Sequence, residues 1–548
     1  MTKSRRYWTA WSRKMADRNK KSPSNQGIVY LIGAGPGDPG LFTVKGREIL
    51  NQCHAVVYDN LIPDELIVLL PEKVEKYFVG KSAGKHTLKQ EDINRLLVKL
   101  ALEGKKIARL KGGDPFLFGR GGEEARYLQE NNIRFEIIPG ITAGTAAPAY
   151  CGIPCTDREQ SSFVLFVTGH KAIEKKLSSV PWEWVAQAKS GTLVIYMGVG
   201  ELPNIARKLI EGGMPADIES CIIERGTFPS QRAVSATLSE LPEKAQMENI
   251  KPPAIIMIGE VVSNEPLLNW HKQKPLYGLR IMVTRPADQA EPLYGSLRDL
   301  GAEVLPCPTI ATSEYMDITS WEKFENLVKD DSKNKWVVFT GENGVRYFLN
   351  PYISRYGDIR KLSRFRLAAV GIGTVEALGG YNLKPDFIPA KATIDSFVKE
   401  FKSKVDLTES TIIRVKGSLA DNRIEEGLEP IAREILPIEV YKTYVPQWPG
   451  NMRERLFKYP PDLIVFTSAS TVDGFVKVLN SGEIKKLIRS AKILSMGPSA
   501  TRALKSSGLA VSYEADEHTI PGIIKCLKKL FGTPLKEKKS LMPKRQTS

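Results

Sequence analysis

Short apolar, β-branched runs recur along the chain, and most end in glycines or a small polar turn. The first is Ile28-Val29-Tyr30-Leu31-Ile32, followed by Gly33. A run that is apolar at every position predicts a strand covered on both faces, as in a parallel sheet. A helical pattern from Thr43 to Asn51 comes next, then the strand Ala55-Val56-Val57-Tyr58, with Asp59 at its C-terminal end. Further strands are expected at Ile107–Leu110, Phe135–Ile138, Val164–Thr168, Leu193–Met197, Cys221–Glu224 and Ala254–Ile258. Helical stretches separate most of them, which predicts α/β layers. The Pro- and Gly-rich stretch 139–154 reads as a hinge between two lobes.

The pattern breaks again at 263–278, where Pro266 and Pro275 flank polar residues. A semi-flexible linker is expected over 263–275. The strand pattern restarts with Leu279-Arg280-Ile281-Met282-Val283-Thr284, and beyond it lies a faint internal repeat. Trp336–Val345 is similar to Leu463–Val472, and Ala368–Thr374 to Leu494–Thr501, each reading strand, small polar turn, helix in the same order. Two similar α/β lobes account for this.

At 548 residues the chain exceeds one ordinary domain. Its net charge of +16 sits mostly in two polar tails, +7 over residues 1–26 and +4 over 533–548. Solvated tails (1–26 and 531–548) explain that imbalance, and nucleic acid is not an expected partner, although Tyr7-Trp8-Thr9-Ala10-Trp11 retains a weak binding motif. No apolar stretch reaches membrane-helix length, and the basic N-terminus lacks the apolar core of a secretory signal. Six scattered cysteines suit a reducing compartment, so the expected location is cytoplasmic. Five histidines without metal-ligand spacing leave no expected metal site.

Two motifs carry chemistry. Gly33-Ala34-Gly35-Pro36-Gly37-Asp38-Pro39-Gly40 follows the first strand and contains a literal GxGxxG, with Asp59 19 residues beyond it. That is the spacing of a dinucleotide fingerprint, but the chemistry opposes it. A pyrophosphate needs backbone N–H donors; Pro36 and Pro39 have none, and Asp38 would set a like charge beside the phosphates. The loop suits a phosphate-free ligand such as S-adenosylmethionine, with a plain glycine turn as the simpler reading. The densest motif runs from Arg109 to Glu124, RLKGGDPFLFGRGGEE. Its double glycine lets a ligand approach the backbone, Asp114 can accept from a ligand hydroxyl or amine, and the basic residues could steer an acidic substrate.

From about Gly27 to Val262 these stretches resemble the S-adenosylmethionine-dependent uroporphyrinogen-III C-methyltransferase family. The resemblance also rests on Val79–His86, Pro139–Gly144, Val167–His170, Tyr196–Gly198, Glu224–Thr227 and Pro253-Ala254. It implies a two-lobed fold with the cofactor in the cleft. It places Pro36, Gly112, Gly113, Asp114, Leu117, Thr142, Ala143, Met197, Gly226 and Ala254 around S-adenosylmethionine. It assigns Asp59 as proton acceptor and Lys81 as proton donor, and it implies a homodimer through this half. A porphyrinogen pyrrole carbon is electron-rich enough to attack a sulfonium methyl directly, so one carboxylate and one amine can handle the protons without a metal. The plain alternatives are a strand-end cap for Asp59 and a solvated surface lysine for Lys81.

From about Leu276 to Leu530 the chain resembles uroporphyrinogen-III synthase, on Val283–Ala290, Gly301–Val304, the two repeat pairs, Pro385–Pro389 and Val440–Thr443. The resemblance implies a two-lobed α/β fold, with the chain leaving the first lobe near Pro308 and returning near Leu436. Its substrate would be hydroxymethylbilane, cyclised with inversion of ring D to uroporphyrinogen III, the substrate of the first half. Tyr441 matches the family's linker tyrosine, whose hydroxyl could assist departure of water or simply pack between lobes. Thr340, Thr467, Ser468 and Thr501, at strand-end turns, are candidate contacts for substrate carboxylates. The alternative is a methyltransferase with a non-catalytic two-lobed C-terminal binding module.

Overall fold

Residues 26–80, 89–169, 180–315, 318–329 and 334–532 are described by a computed structural model. Lys81 lies outside the described residues, as do the basic tails apart from Gln26, Phe531 and Gly532. Ile28–Gly33 (β1), Ala55–Tyr58 (β2), Glu75–Phe78 (β3), Lys106–Lys111 (β4) and Arg134–Ile138 (β5) form a parallel sheet in the order β3-β2-β4-β1-β5. Every residue of β2 is buried, as its unbroken apolar run requires. Because the order reverses beside β1, the C-terminal ends of β1 and β4 border the crevice in which open α/β sheets bind ligands.

Val164–Thr168 (β6), Thr192–Tyr196 (β7), Glu219–Glu224 (β8), Arg232–Thr237 (β9) and Ala254–Ile258 (β10) form a second sheet in the order β6-β7-β10-β8-β9. Only β6 and β7 pair in parallel; the other neighbours are antiparallel. All the strands expected in this half are present. The two unexpected ones, β3 and β9, are edge strands, partly exposed and carrying charges, so they lack the apolar run that marks a central strand. The expected hinge at 139–154 does join the two sheets, but it holds a helix, Ala143–Cys151, that buries Gly144, Ala146, Ala147 and Pro148.

The stretch 263–275 differs from the expected semi-flexible linker. It folds into the short helices Glu265–Leu268 and His271–Gln273, and it buries Asn269 and His271. Trp270 Nε1 donates to the Ala149 carbonyl at 3.0 Å, and the rings of Tyr150, Trp270 and Tyr277 surround His271 with centroids 4.9 to 5.3 Å away. Three aromatic rings contribute more burial here than the polar flanks oppose.

The remaining chain builds two further sheets. Glu303–Pro306, Arg280–Val283, Leu463–Phe466, Lys492–Ser495 and Tyr513–Glu514 lie side by side in that order, all parallel. Ala311–Glu314, Glu434–Tyr444, Thr411–Gly417, Lys335–Phe339 and Arg366–Ala369 form the other, parallel except for its first edge strand. The two halves of the internal repeat thus fall in different sheets. Thr309–Pro446 is one compact unit, and the chain up to Pro308 together with the chain from Gln447 is the other. The exit near Pro308 is as expected. The return comes at Gln447 rather than near Leu436, because Glu434–Tyr444 pairs on both sides within the fourth sheet.

The first three sheets therefore belong to one unit. Val68, from the short helix Asp64–Val68 that follows β2, shares a core with Met282, Ile464 and Phe466 of the third sheet. Glu65 pairs with Arg298, and the Tyr277 hydroxyl donates to the Gln231 carbonyl at 2.8 Å. Among the described residues no helix is long and apolar enough to cross a membrane.

His271 makes this junction sensitive to pH. Burial, followed by the charge of Lys274, lowers its pKa from 6.5 to about 4. Between those values the unfolded chain binds a proton that the folded chain does not. The stability contribution is therefore complete above about 6.5 and falls away as the pH drops toward about 4, by up to about 3 kcal/mol. His271→Phe is expected to lose less stability than the parent chain between about pH 7 and about pH 5, read as denaturant midpoints. Equal losses would show that another group governs the transition.

Candidate active site

The loops after β1 and β4 meet through glycines. A Cβ on Gly33 would lie 2.5 Å from the Gly140 Cα, and one on Gly140 would lie 2.3 Å from the Gly113 carbonyl oxygen. Gly113 N donates to Gly35 O at 2.7 Å and Gly35 N to Gly113 O at 3.2 Å. Gly35 and Gly113 have φ of +77° and +67°, which glycine adopts without strain. The result is a floor of bare backbone under a cleft of about 1140 Å³.

Pro36 from the β1 loop and Asp59 from the end of β2 line this cleft, as do Gly112, Gly113, Asp114 and Leu117 from the β4 loop. Thr142 and Ala143 enter it from the start of the helix Ala143–Cys151, and Met197, Gly226 and Ala254 from the second sheet. Stretches scattered over more than two hundred residues of sequence thus converge on one cavity.

The β1 loop has little to offer a phosphate. The N–H of Ala34 goes to Lys111 O, of Gly35 to Gly113 O, of Asp38 to Thr227 Oγ1, of Gly40 to Asp38 Oδ1 and of Leu41 to Asp38 O. The carboxylate of Asp38 does not face a ligand as expected: its second oxygen accepts the Tyr150 hydroxyl at 2.6 Å. Asp114 is similarly engaged. Its Oδ1 accepts Phe116 N at 2.7 Å and Leu117 N at 3.1 Å, and its Oδ2 accepts Gly140 N at 3.0 Å. It clamps the cleft floor and retains about one of a carboxylate's roughly four acceptor positions.

Asp59 is partly exposed. Its Oδ1 accepts Leu61 N at 3.0 Å, and its Oδ2 lies 3.4 Å from the Arg109 guanidinium. Arg109 and Lys111, two apart on β4 and so on one face, are buried rather than free to steer a substrate. Arg109 Nε reaches Glu124 Oε1 at 3.3 Å, and Lys111 Nζ reaches the same oxygen at 2.9 Å. Glu124 comes from the helix Gly121–Glu130, and Gln90 also donates to it at 3.0 Å. Burial pushes the Glu124 carboxyl up, but Arg109 and Lys111 hold it below the ordinary range; burial and then Arg109 lower Lys111. In the sequence these residues read as basic groups that could steer an acidic substrate, and the available signal was the Arg-x-Lys alternation followed by a glutamate in the first turn of a helix.

Two further features were not anticipated. The Tyr196 hydroxyl lies 2.7 Å from Thr142 Oγ1 and accepts Gly144 N at 2.8 Å, tying the second sheet to the cleft wall. Phe118, Arg120, Met197 and Arg225, all lining the cleft, hold left-handed φ of +54°, +58°, +54° and +50°. Such residues cost about 1–3 kcal/mol each and concentrate where function constrains the backbone.

In the unit Thr309–Pro446, Tyr441 is partly buried and stacks on Tyr347, with centroids 5.5 Å apart. Burial and then Tyr347 raise its phenol pKa. Gly417 leaves room for it, since a Cβ there would lie 2.3 Å from Tyr441 Cζ. Thr340 directly follows the strand Lys335–Phe339, which pairs with Thr411–Gly417. In the other unit Thr467 is buried and Ser468 caps the helix Ala469–Val478. The Thr501 hydroxyl is shared by Ser495 and Glu514. The hydroxyls of Ser468 and Thr501, expected as substrate contacts, are thus engaged within the protein.

The family model for tetrapyrrole (corrin/porphyrin) methylases matches residues 28–242, and that for uroporphyrinogen-III synthase HemD matches residues 291–525. The porphyrin biosynthesis protein HemD of Ruminiclostridium josui is 36% identical over 92% of this chain and 98% of its own length. A uroporphyrinogen-III C-methyltransferase of Bacillus subtilis is 40% identical over 62% of this chain and 68% of its own. An S-adenosyl-L-methionine-dependent uroporphyrinogen III methyltransferase of Methanosarcina barkeri is 46% identical over 44% of this chain and 95% of its own. The chain therefore belongs to the family of the Ruminiclostridium josui porphyrin biosynthesis protein, in which a tetrapyrrole methylase is continued by a uroporphyrinogen-III synthase.

Proposed function

We propose that this chain is a bifunctional enzyme of tetrapyrrole biosynthesis. Its C-terminal half cyclises hydroxymethylbilane to uroporphyrinogen III with inversion of ring D. Its N-terminal half methylates that product at C2 and C7 to precorrin-2, the precursor of sirohaem and cobalamin. The observation that carries the reading is the glycine-floored cleft holding Asp59, in a chain whose two parts match these two families in succession.

The cleft suits S-adenosylmethionine, which supplies an electrophilic methyl group when bound. Gly112 and Gly113 admit a ligand against the backbone, Leu117, Ala143 and Ala254 are apolar, and the N–H groups of Ala34, Gly35, Asp38, Gly40 and Leu41 in the β1 loop are bonded within the protein. Asp59 accepts the proton that the methylated pyrrole must lose. Arg109 beside it orients the carboxylate, and Glu124 in turn holds Arg109 and Lys111 in place. Lys81, outside the described residues, is the proposed proton donor. In the synthase half Tyr441 assists the departing water, and the protein otherwise guides ring closure of a reactive substrate. The methyltransferase half is proposed to dimerise, and the enzyme to be cytoplasmic.

Supplying the whole chain with hydroxymethylbilane and no methyl donor is expected to give the type III isomer. Only the spontaneous type I product would leave the C-terminal half as a binding module. Asp59→Asn keeps an oxygen for Leu61 N, so cofactor affinity is expected to hold while methyl transfer slows at least about a hundredfold. Parallel loss of affinity and turnover would deny Asp59 the proton-acceptor role.

A further inference from the structure

One wall of the methyltransferase cleft comes from the synthase half. The helix Met452–Lys458 precedes the strand Leu463–Phe466 and buries Met452 and Leu456 in the core of the third sheet. Asn451, Glu454, Arg455, Lys458 and Tyr459 line the cleft. This wall is fixed to the methyltransferase half at several points. Asn451 Nδ2 donates to Asn60 Oδ1 at 2.7 Å, one residue beyond Asp59, and Arg455 pairs with Asp64 at 3.2 Å. The Arg225 guanidinium, from the second sheet, lies 5.4 Å from the centre of the Tyr459 ring.

The basic side chains of the cleft differ in what holds them. Arg109 and Lys111 are committed to Glu124, Arg120 to Glu123, Arg225 to Glu303 and Arg455 to Asp64. Among the described residues Lys458 alone lines this cleft as a cation without a carboxylate partner. It is exposed, and its ammonium lies 5.2 Å from the centre of the Tyr459 ring. The substrate under the functional reading above is a polycarboxylate, and among the described cations of the cleft Lys458 is the one not already held by a carboxylate of the protein.

We propose that Lys458 binds a carboxylate of the tetrapyrrole, so that the synthase half supplies a substrate-recognition residue to the methyltransferase. This rests on the proposed methylation of uroporphyrinogen III. A contact made equally in the ground and transition states changes KM and leaves kcat alone. In the full chain, Lys458→Met is expected to raise KM for uroporphyrinogen III about five- to tenfold, with kcat and KM for S-adenosylmethionine unchanged. Lys458→Glu should raise it further, and Lys458→Arg should remain close to the parent. Formation of the type III isomer by each variant reports that it is folded. An unchanged KM in Lys458→Glu, with methylation by the parent chain intact, would overturn the inference and leave the functional reading standing. Failure of the parent chain to methylate uroporphyrinogen III would overturn both.

Discussion

The cleft depends on the contact of Gly33, Gly113 and Gly140, where three backbones approach more closely than any side chain allows. A methyl group at Gly33 or Gly140 would stand less than 3 Å from main-chain atoms that cannot move aside. This contact brings the ends of β1 and β4 to the start of the helix Ala143–Cys151, and Asp114 locks it by accepting Gly140 N. Tyr196 then fastens the second sheet to the same helix. The ligand-facing surface is consequently backbone at the floor and side chains only at the walls.

Behind the floor, charge is buried in clusters of two cations and one carboxylate. Arg109 and Lys111 alternate on one strand against Glu124 from the following helix, and the fourth sheet repeats the device with Arg414, Lys416 and Glu425. Such clusters add little net stability, because desolvation offsets most of the attraction, but removing one member leaves an uncompensated charge. Their effect is geometric: Arg109 holds one position relative to Asp59 because Glu124 holds Arg109.

The methyltransferase and the third sheet are joined by a shared core rather than by a tether. The segment from Tyr58 to Leu69 carries Asp59 at one end and Val68 at the other. Along its length it meets Gly450, Asn451, Arg455 and Arg298. Movement at this junction would therefore be felt at Asp59, which links the integrity of one active site to the packing of the other half.

The sequence by itself determined the α/β layering, the central strands of the first two sheets and the repeated lobes, while the residues that meet in the cleft were named by the family resemblance that its motifs carry. Apolar runs and glycine turns are local signals, and the motifs lie at strand ends, where such folds place ligands. Tertiary structure decided the rest. The edge strands β3 and β9 carry charges because one side faces solvent, and only their neighbours reveal them as strands. Arg109 and Lys111 read as basic residues available to steer a substrate until Glu124 is brought against them by a helix. The polar stretch 263–275 reads as a linker until Tyr150 and Tyr277 close around His271. Lys458 reads as a lysine of the other enzyme until its helix is laid beside Asn60. In each case the deciding partner lies far away in the chain, and its contact exists only once the sheets have packed.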